Sequence, residues 1–216
     1  MKMGIEYLDI YDANFNHIGT EDRNIVHERG LWHQTIHCWI IRPNGKIVVQ
    51  MRSTDILSHP NTLDISAAGH LCAGEKLKDC MREVKEEIGL DIEFEALTYL
   101  GYFRRTSDSV RDGKPNHNRE FTHVFFVKED TPLSKYQLQA EEVDGVYEMD
   151  INKALSLFFG ETDTIEIDGY KRTENGLTAQ TITVGRKDFT PHPKWQWLKI
   201  LIMADRYLKG EKYLAV

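Results

Sequence analysis

Cysteine is scarce: Cys38, Cys72 and Cys80 are the only three in 216 residues, an odd count with no Cys-x-x-Cys spacing. Neither a disulfide framework nor a cysteine zinc site is suggested, and a reducing compartment suits the chain. Long apolar runs are also missing, so no segment reads as a membrane span. The opening MKMGIEYLDIYD carries acidic residues where a secretory leader needs an apolar stretch, and the expected location is cytoplasmic, with no membrane partner. Basic excess is absent too: 27 Lys and Arg stand against 34 Asp and Glu, for a net charge of −7. Affinity for a phosphate backbone comes from clustered Lys and Arg, so a nucleic acid polymer is not an expected partner. A small phosphorylated molecule remains possible, provided metal ions stand between the two sets of negative charge.

What is present suffices for a core, with 41% hydrophobic and 28% charged residues. Two strand-like pieces flank the polar turn Asp12-Ala13-Asn14, predicting an opening hairpin. Runs from 35 to 42 and from 46 to 51, rich in Ile, Val and Trp, flank Pro43-Asn44-Gly45 and predict a second hairpin. Apolar residues then recur at helical spacing, Leu77, Met81, Val84 and Ile88, before the stop at Gly89, predicting an amphipathic helix over 75–89. Strands follow at 94–103, 121–127 and 143–149, with a polar loop over 106–118 between the first two, and a second helix at 151–159. Residues 164–184 alternate around Asp168-Gly169 and Asn175-Gly176, each dipeptide a good hairpin turn, and read as an inserted β excursion that offers a possible homodimer contact. A helix over 195–208 closes the chain. The mixed order indicates one α/β domain over 1–216, with a core at about 30–159, an N-terminal hairpin in 1–29 and the β insertion and C-terminal helix in 160–216.

At about 100° per residue, Glu83, Glu86 and Glu87 fall in one sector of the helix, with Asp79 in the same sector and the apolar residues about a third of a turn away. Like charges at this spacing repel by a few tenths of a kcal/mol per pair in an isolated helix, so something should offset the cost. A solvated acidic face is one reading of such a pattern. The other is a site for a hard divalent cation, Mg²⁺ or Mn²⁺, which takes oxygen ligands.

The flanking residues choose between them. Gly69, five residues, Glu75, six residues, then Arg82-Glu83-Val84-Lys85-Glu86-Glu87-Ile88-Gly89-Leu90 strongly resembles the Nudix box. Every fixed position is present, and the interval between Glu75 and Arg82 is one residue shorter than in that family. The resemblance extends from EYLDIYD through Arg23 and GLWHQTIHCWI to DISAAGHLCAGE, in the manner of Nudix proteins related to isopentenyl diphosphate isomerases, and covers about residues 5–150. It implies the Nudix fold, an α/β/α sandwich on a mixed sheet, and a metal-dependent hydrolase that cleaves a phosphoanhydride, such as a nucleoside diphosphate linked to another moiety, by water attack at phosphorus.

By that similarity, Glu83 and Glu87 are the main metal ligands, Glu86 is a further ligand or the base, and the Gly69 backbone adds a carbonyl. Arg82 orients a carboxylate or forms an ordinary surface ion pair. One of Glu141 and Glu142 is the later-loop acid, unless both are surface charge. Arg104 and Arg105 grip a terminal phosphate or merely solubilise a loop. Of the histidines His33, His37 and His70, only His70 adjoins the box and is a substrate-binding candidate; scattered histidines are more often scaffold. Trp32, Tyr102 and Phe103 stack on a base or fill the core. The role of Glu75 is left open by the shortened interval, which either tightens the loop before the helix or turns Glu75 away from Arg82. Two rival functions remain, an isomerase-like protein and a non-catalytic nucleotide-binding module. The isomerase needs a reactive cysteine where this chain has Ala68.

Overall fold

The computed structural model of the chain describes residues 5–111 and 113–216. The opening hairpin, β1 (Tyr7–Tyr11) and β2 (His17–Asp22), turns where the Asp12 carboxylate accepts the backbone N–H groups of Asn14 and Asn16. A short helix follows, α1 (Arg23–Arg29), capped by Asp22 and stopped by Gly30 at φ 66°. Only Val26 of its seven residues is buried, so it carries no apolar period from which to expect it.

β3 (Trp32–Ile41) and β4 (Lys46–Arg52) leave the turn at 43–45 as a hairpin but pair only at Ile41 and Ile47. The expected hairpin is right at its turn and not along its length. Beyond that pair the strands diverge, and two short strands fill the wedge: β5 (Leu63–Asp64) on β4, and β6 (Ala67–His70) on β3. Ser66 sits at the apex, where its hydroxyl accepts the Ile40 N–H at 2.9 Å and donates to the Val48 carbonyl at 2.5 Å. It replaces the ladder bonds that the diverging strands no longer exchange.

The helix expected over 75–89 is shorter. Residues 77–80 form a 3₁₀ turn and α2 spans Met81–Ile88. β7 (Thr98–Arg111) and β8 (Lys114–Lys128) form a long hairpin; of the stretch 106–118, expected as a loop, residues 106–111 and 114–118 are its paired extension, with Thr106 opposite Arg119 and Asp108 opposite His117, and residue 112 lies outside the described residues. The extension projects past the core and is polar on both faces, so it lacks the alternation that marks a half-buried strand.

β9 (Val143–Asp150), α3 (Ile151–Phe159), β10 (Thr164–Thr173), β11 (Gly176–Gly185) and α4 (Lys194–Leu208) complete the chain. The sheet runs β11-β10-β9-β4-β3-β1-β2, with β8 parallel to β3 and β7 beyond it. α2 covers one face through Val84 and Ile88, on Ile36, Cys38, Ile40, Val48 and Phe125. α3 and α4 cover the other, where Trp197 stacks on Phe158 at 5.1 Å and meets Trp39 edge-on at 5.3 Å. Each fully buried side chain of this size contributes about 1.5–3 kcal/mol. The result is the expected α/β/α arrangement on a mixed sheet.

Only one of the two dipeptides expected to turn does so. The chain reverses just before Gly176, whereas Asp168 and Gly169 lie inside β10, with Gly169 opposite Tyr147 of β9. A Cβ on Gly169 would overlap the Val146 carbonyl and the Tyr147 ring, so this glycine provides close approach between strands. Gly169→Ala is therefore expected to cost roughly 2–4 kcal/mol, read as a lower midpoint in urea unfolding.

Candidate active site

The site forms where α2 lies against the wedge. Glu87 faces inward and is only 3% exposed. Its Oε2 accepts the backbone N–H of Ala68 at 3.1 Å and the Gln50 amide at 3.4 Å. The Ala68 N–H is free for this because β6 pairs on its other side with β3. Burial, with Glu142 and Glu83 nearby, pushes the Glu87 carboxyl well above the usual range. Among the described residues no cation forms an ion pair with it.

Glu83, one turn earlier, packs against the backbone of Gly69 so closely that a Cβ there would overlap its side chain. Burial raises its carboxyl to about 7, with Arg82 opposing and Glu142 and Glu86 adding to the rise. Arg82 is the hub on the open side: it donates to Glu75 at 3.1 Å, to Glu83 at 3.0 Å and to Glu86 at 2.9 Å. Glu75 also accepts the Cys72 N–H at 2.8 Å. The missing residue has therefore tightened the loop and has not turned Glu75 away. A 3₁₀ turn rises about 2.0 Å per residue against about 1.5 Å in an α-helix, so one residue fewer spans the same distance. Asp79, expected among the acids, instead accepts the Lys76 N–H at 2.8 Å and caps that turn.

The helix ends at Gly89, φ 74°, where the carbonyls of Glu87 and Ile88 are taken by the N–H groups of Gln139 and Gln137. The cap fixes the chain that leads to Glu141 and Glu142. Both are exposed, and it is the charge of Glu142 that reaches Glu83 and Glu87. Glu86 is 42% exposed and tied to Arg82.

Other expected residues separate. Arg104 and Arg105 point to opposite faces of β7. Arg104 lies over Trp32 at 4.9 Å and Phe121 at 5.9 Å, on the face that carries α2, beside the exposed Tyr102. Phe103 is core on the other face. Arg105 joins a polar chain there, donating to His37 at 3.3 Å and to His192 Nδ1 at 3.0 Å and pairing with Glu120 at 3.3 Å. A guanidinium only donates, so His192 accepts at Nδ1 and its Nε2–H donates to Asp64 at 2.8 Å. Burial opposes the Asp64 charge, but His192, Arg52 and the Ile65 N–H outweigh it and hold the carboxyl well below its usual range. His70 also lies on the face away from α2, beside His27 and His33. Gln50, Arg52, Asp64 and His192 went unnoticed in the sequence, because they come from remote segments and no local spacing ties them to the box.

The chain is similar to known proteins over most of its length. The NUDIX domain family matches residues 31–166. An uncharacterized Nudix hydrolase of Clostridium acetobutylicum is 33% identical over 203 residues, covering 92% of this chain and 96% of that protein. Nudix hydrolase 3 of Arabidopsis thaliana is 34% identical over 149 residues, covering 67% of this chain and 19% of that protein. A crystal structure from Deinococcus radiodurans shares the fold with a TM-score of 0.52 at 18% identity, over 72% of this chain and 90% of that one.

Raised carboxyls bind protons more tightly folded than unfolded, so their contribution is favourable below about pH 4.5 and is lost as pH rises through about 7 for Glu83. In chelator, the protein is expected to gain thermal stability as pH falls from 8 towards 5. Glu87→Gln should stabilise it at pH 8, seen as a raised Tm. A Tm that is flat over this range and unmoved by the substitution would contradict the burial argument.

Proposed function

The chain belongs to the Nudix family of hydrolases, enzymes acting on phosphoric anhydrides, and on that premise we propose that it is a Mg²⁺- or Mn²⁺-dependent hydrolase of a nucleoside diphosphate linked to a second group. The observation that carries the reading is the buried, unpaired carboxylate of Glu87 beside Glu83 and within reach of the Glu142 charge. Anionic oxygen donors gathered without enough cationic partners fit a hard divalent ion.

Glu83 and Glu87 would hold the ion, with the Gly69 carbonyl beside them. When bound, such an ion neutralises charge on the anhydride and lowers the pKa of water. Glu87 is held in place by Ala68 and Gln50, and Glu83 by Arg82 and the bare backbone of Gly69. Arg82 keeps Glu83 and Glu86 apart from each other by binding both, and Glu75 anchors Arg82. Glu142, exposed and in no ion pair among the described residues, is the better acceptor for the proton of the attacking water; Glu86 is engaged by Arg82 and serves as a further ligand. Arg104 over Trp32, with the exposed Tyr102 on the same face, offers a cationic and aromatic surface for a base on the sheet face that carries α2. Arg105, on the other face and held by Glu120, His37 and His192, is left out of the phosphate contact. Ala68 supplies no acid, which disfavours isomerase chemistry.

A screen of nucleoside diphosphate compounds with Mg²⁺ or Mn²⁺, reading phosphate release, tests the reading. Turnover is expected to vanish in chelator. Glu87→Gln should lower kcat about a thousandfold with the circular dichroism spectrum unchanged, and Glu142→Gln by roughly 10²–10⁴. Metal binding without phosphate release from any compound would identify a binding module instead.

A further inference from the structure

Apart from the short strands of the wedge, the sheet ends in three edge strands, β2, β7 and β11. An edge strand presents unpaired N–H and C=O groups, and proteins normally blunt it with charge, proline, a bulge or a covering segment. Two of the three are blunted. β2 is six residues long and carries His17, Glu21 and Asp22. β7 shifts register between Tyr99 and Gly101, carries Arg104, Arg105 and Asp108, and receives the chain end, where the Val216 N–H donates to the Leu100 carbonyl at 3.1 Å. β11 has none of these devices. Its ten residues, GLTAQTITVG, include no charged residue and no proline, and its ladder with β10 runs without a break from Thr164 opposite Gly185 to Thr173 opposite Gly176.

The strand is held in place and open to a partner. Leu177 and Ile182 pack on the cores of the two sheet faces. Arg172 ties the hairpin to the body through the Ala140 and Val143 carbonyls and the Asp144 carboxylate. The hairpin closes in two residues, Glu174 and Asn175, so the flanking pair Thr173 and Gly176 is hydrogen-bonded, and alternate residues beyond it turn outward. Leu177, Ala179, Thr181 and Thr183 therefore offer their backbone N–H and C=O groups to the free side. Thr178, Ala179, Gln180 and Thr181 are all exposed.

The charges at the two ends choose the occupant. Glu174 precedes the strand, and Arg186 and Lys187 follow it; all three are exposed, and none forms an ion pair among the described residues. Asp188 is turned back to the Gly185 N–H at 2.8 Å. A second copy laid antiparallel along β11, about a twofold axis through the middle of the strand, brings Glu174 of each copy beside Arg186 and Lys187 of the other. A parallel copy would set like charges together. Each copy has a net charge of −7, so an uncharged strand with complementary ends is where two of them meet with the least repulsion.

We propose that two copies of this chain associate through β11, antiparallel and isologous, so that one sheet continues across the dimer. All of β11 lies beyond residues 31–166, the segment that the Nudix family matches, and the contact is thus a property of the added hairpin.

Sedimentation velocity of the full chain tests this. A monomer–dimer equilibrium is expected, with a dissociation constant on the order of 10 μM or tighter. Ala179→Pro removes an outward N–H and no bond to β10, so it should weaken the dimer at least about a hundredfold with the circular dichroism spectrum unchanged. If that variant fails to fold, Ala179→Lys, which sets two lysines near the axis, should weaken it at least about tenfold. Glu174→Lys should weaken it roughly fivefold, more at low salt than at high. A chain that stays monomeric, a dimer unaffected by either change at Ala179, or one indifferent to Glu174→Lys overturns the proposal. None of these readouts involves turnover, so the hydrolase reading stands or falls separately.

Discussion

The carboxylate of Glu87 is held inside the protein by two neutral donors, the Ala68 N–H and the Gln50 amide. An anion in that position loses most of its hydration, and two dipoles cannot restore it. Much of the surrounding architecture makes the position possible. β3 and β4 must part to open a wedge, β6 must enter it with one edge unpaired, and Ser66 must bridge the two strands where they separate. The same wedge leaves Gly69 with no side chain, so that Glu83 can lie flat against it. Stability is given up at this point in the metal-free protein, and the apolar layers on both faces of the sheet offset it.

Arg82 divides the acids into two sets. Glu75 and Glu86 approach its guanidinium from the solvent side and Glu83 from the wedge side, so its single charge lowers repulsion among three carboxylates. Glu87 lies beyond it, without such a partner. One residue on the helix thus screens the outer acids and leaves the inner one uncompensated, which is the asymmetry a cation site requires.

Much of this was legible in the sequence where local period and turn chemistry agreed. The box, the opening turn at Asp12, α3 and α4 fall where their residues place them. The failures share one cause, which is that pairing partners lie far away in the chain. The stretch 106–118 looked like a loop because neither of its faces meets the core, and Asp168-Gly169 looked like a turn because Tyr147, the neighbour that requires the glycine, is more than a dozen residues upstream. Arg104 and Arg105 looked like a pair, yet adjacent strand residues face opposite ways.

His192 precedes α4 and reaches back through both ring nitrogens, to Asp64 of β5 and Arg105 of β7. Were α4 to peel away, a buried acid and a guanidinium would each lose a neutral partner at once. The last segment of the chain is therefore no appendage: it behaves as a bolt drawn across the wedge, and the tail and the catalytic half should open and close as one cooperative unit.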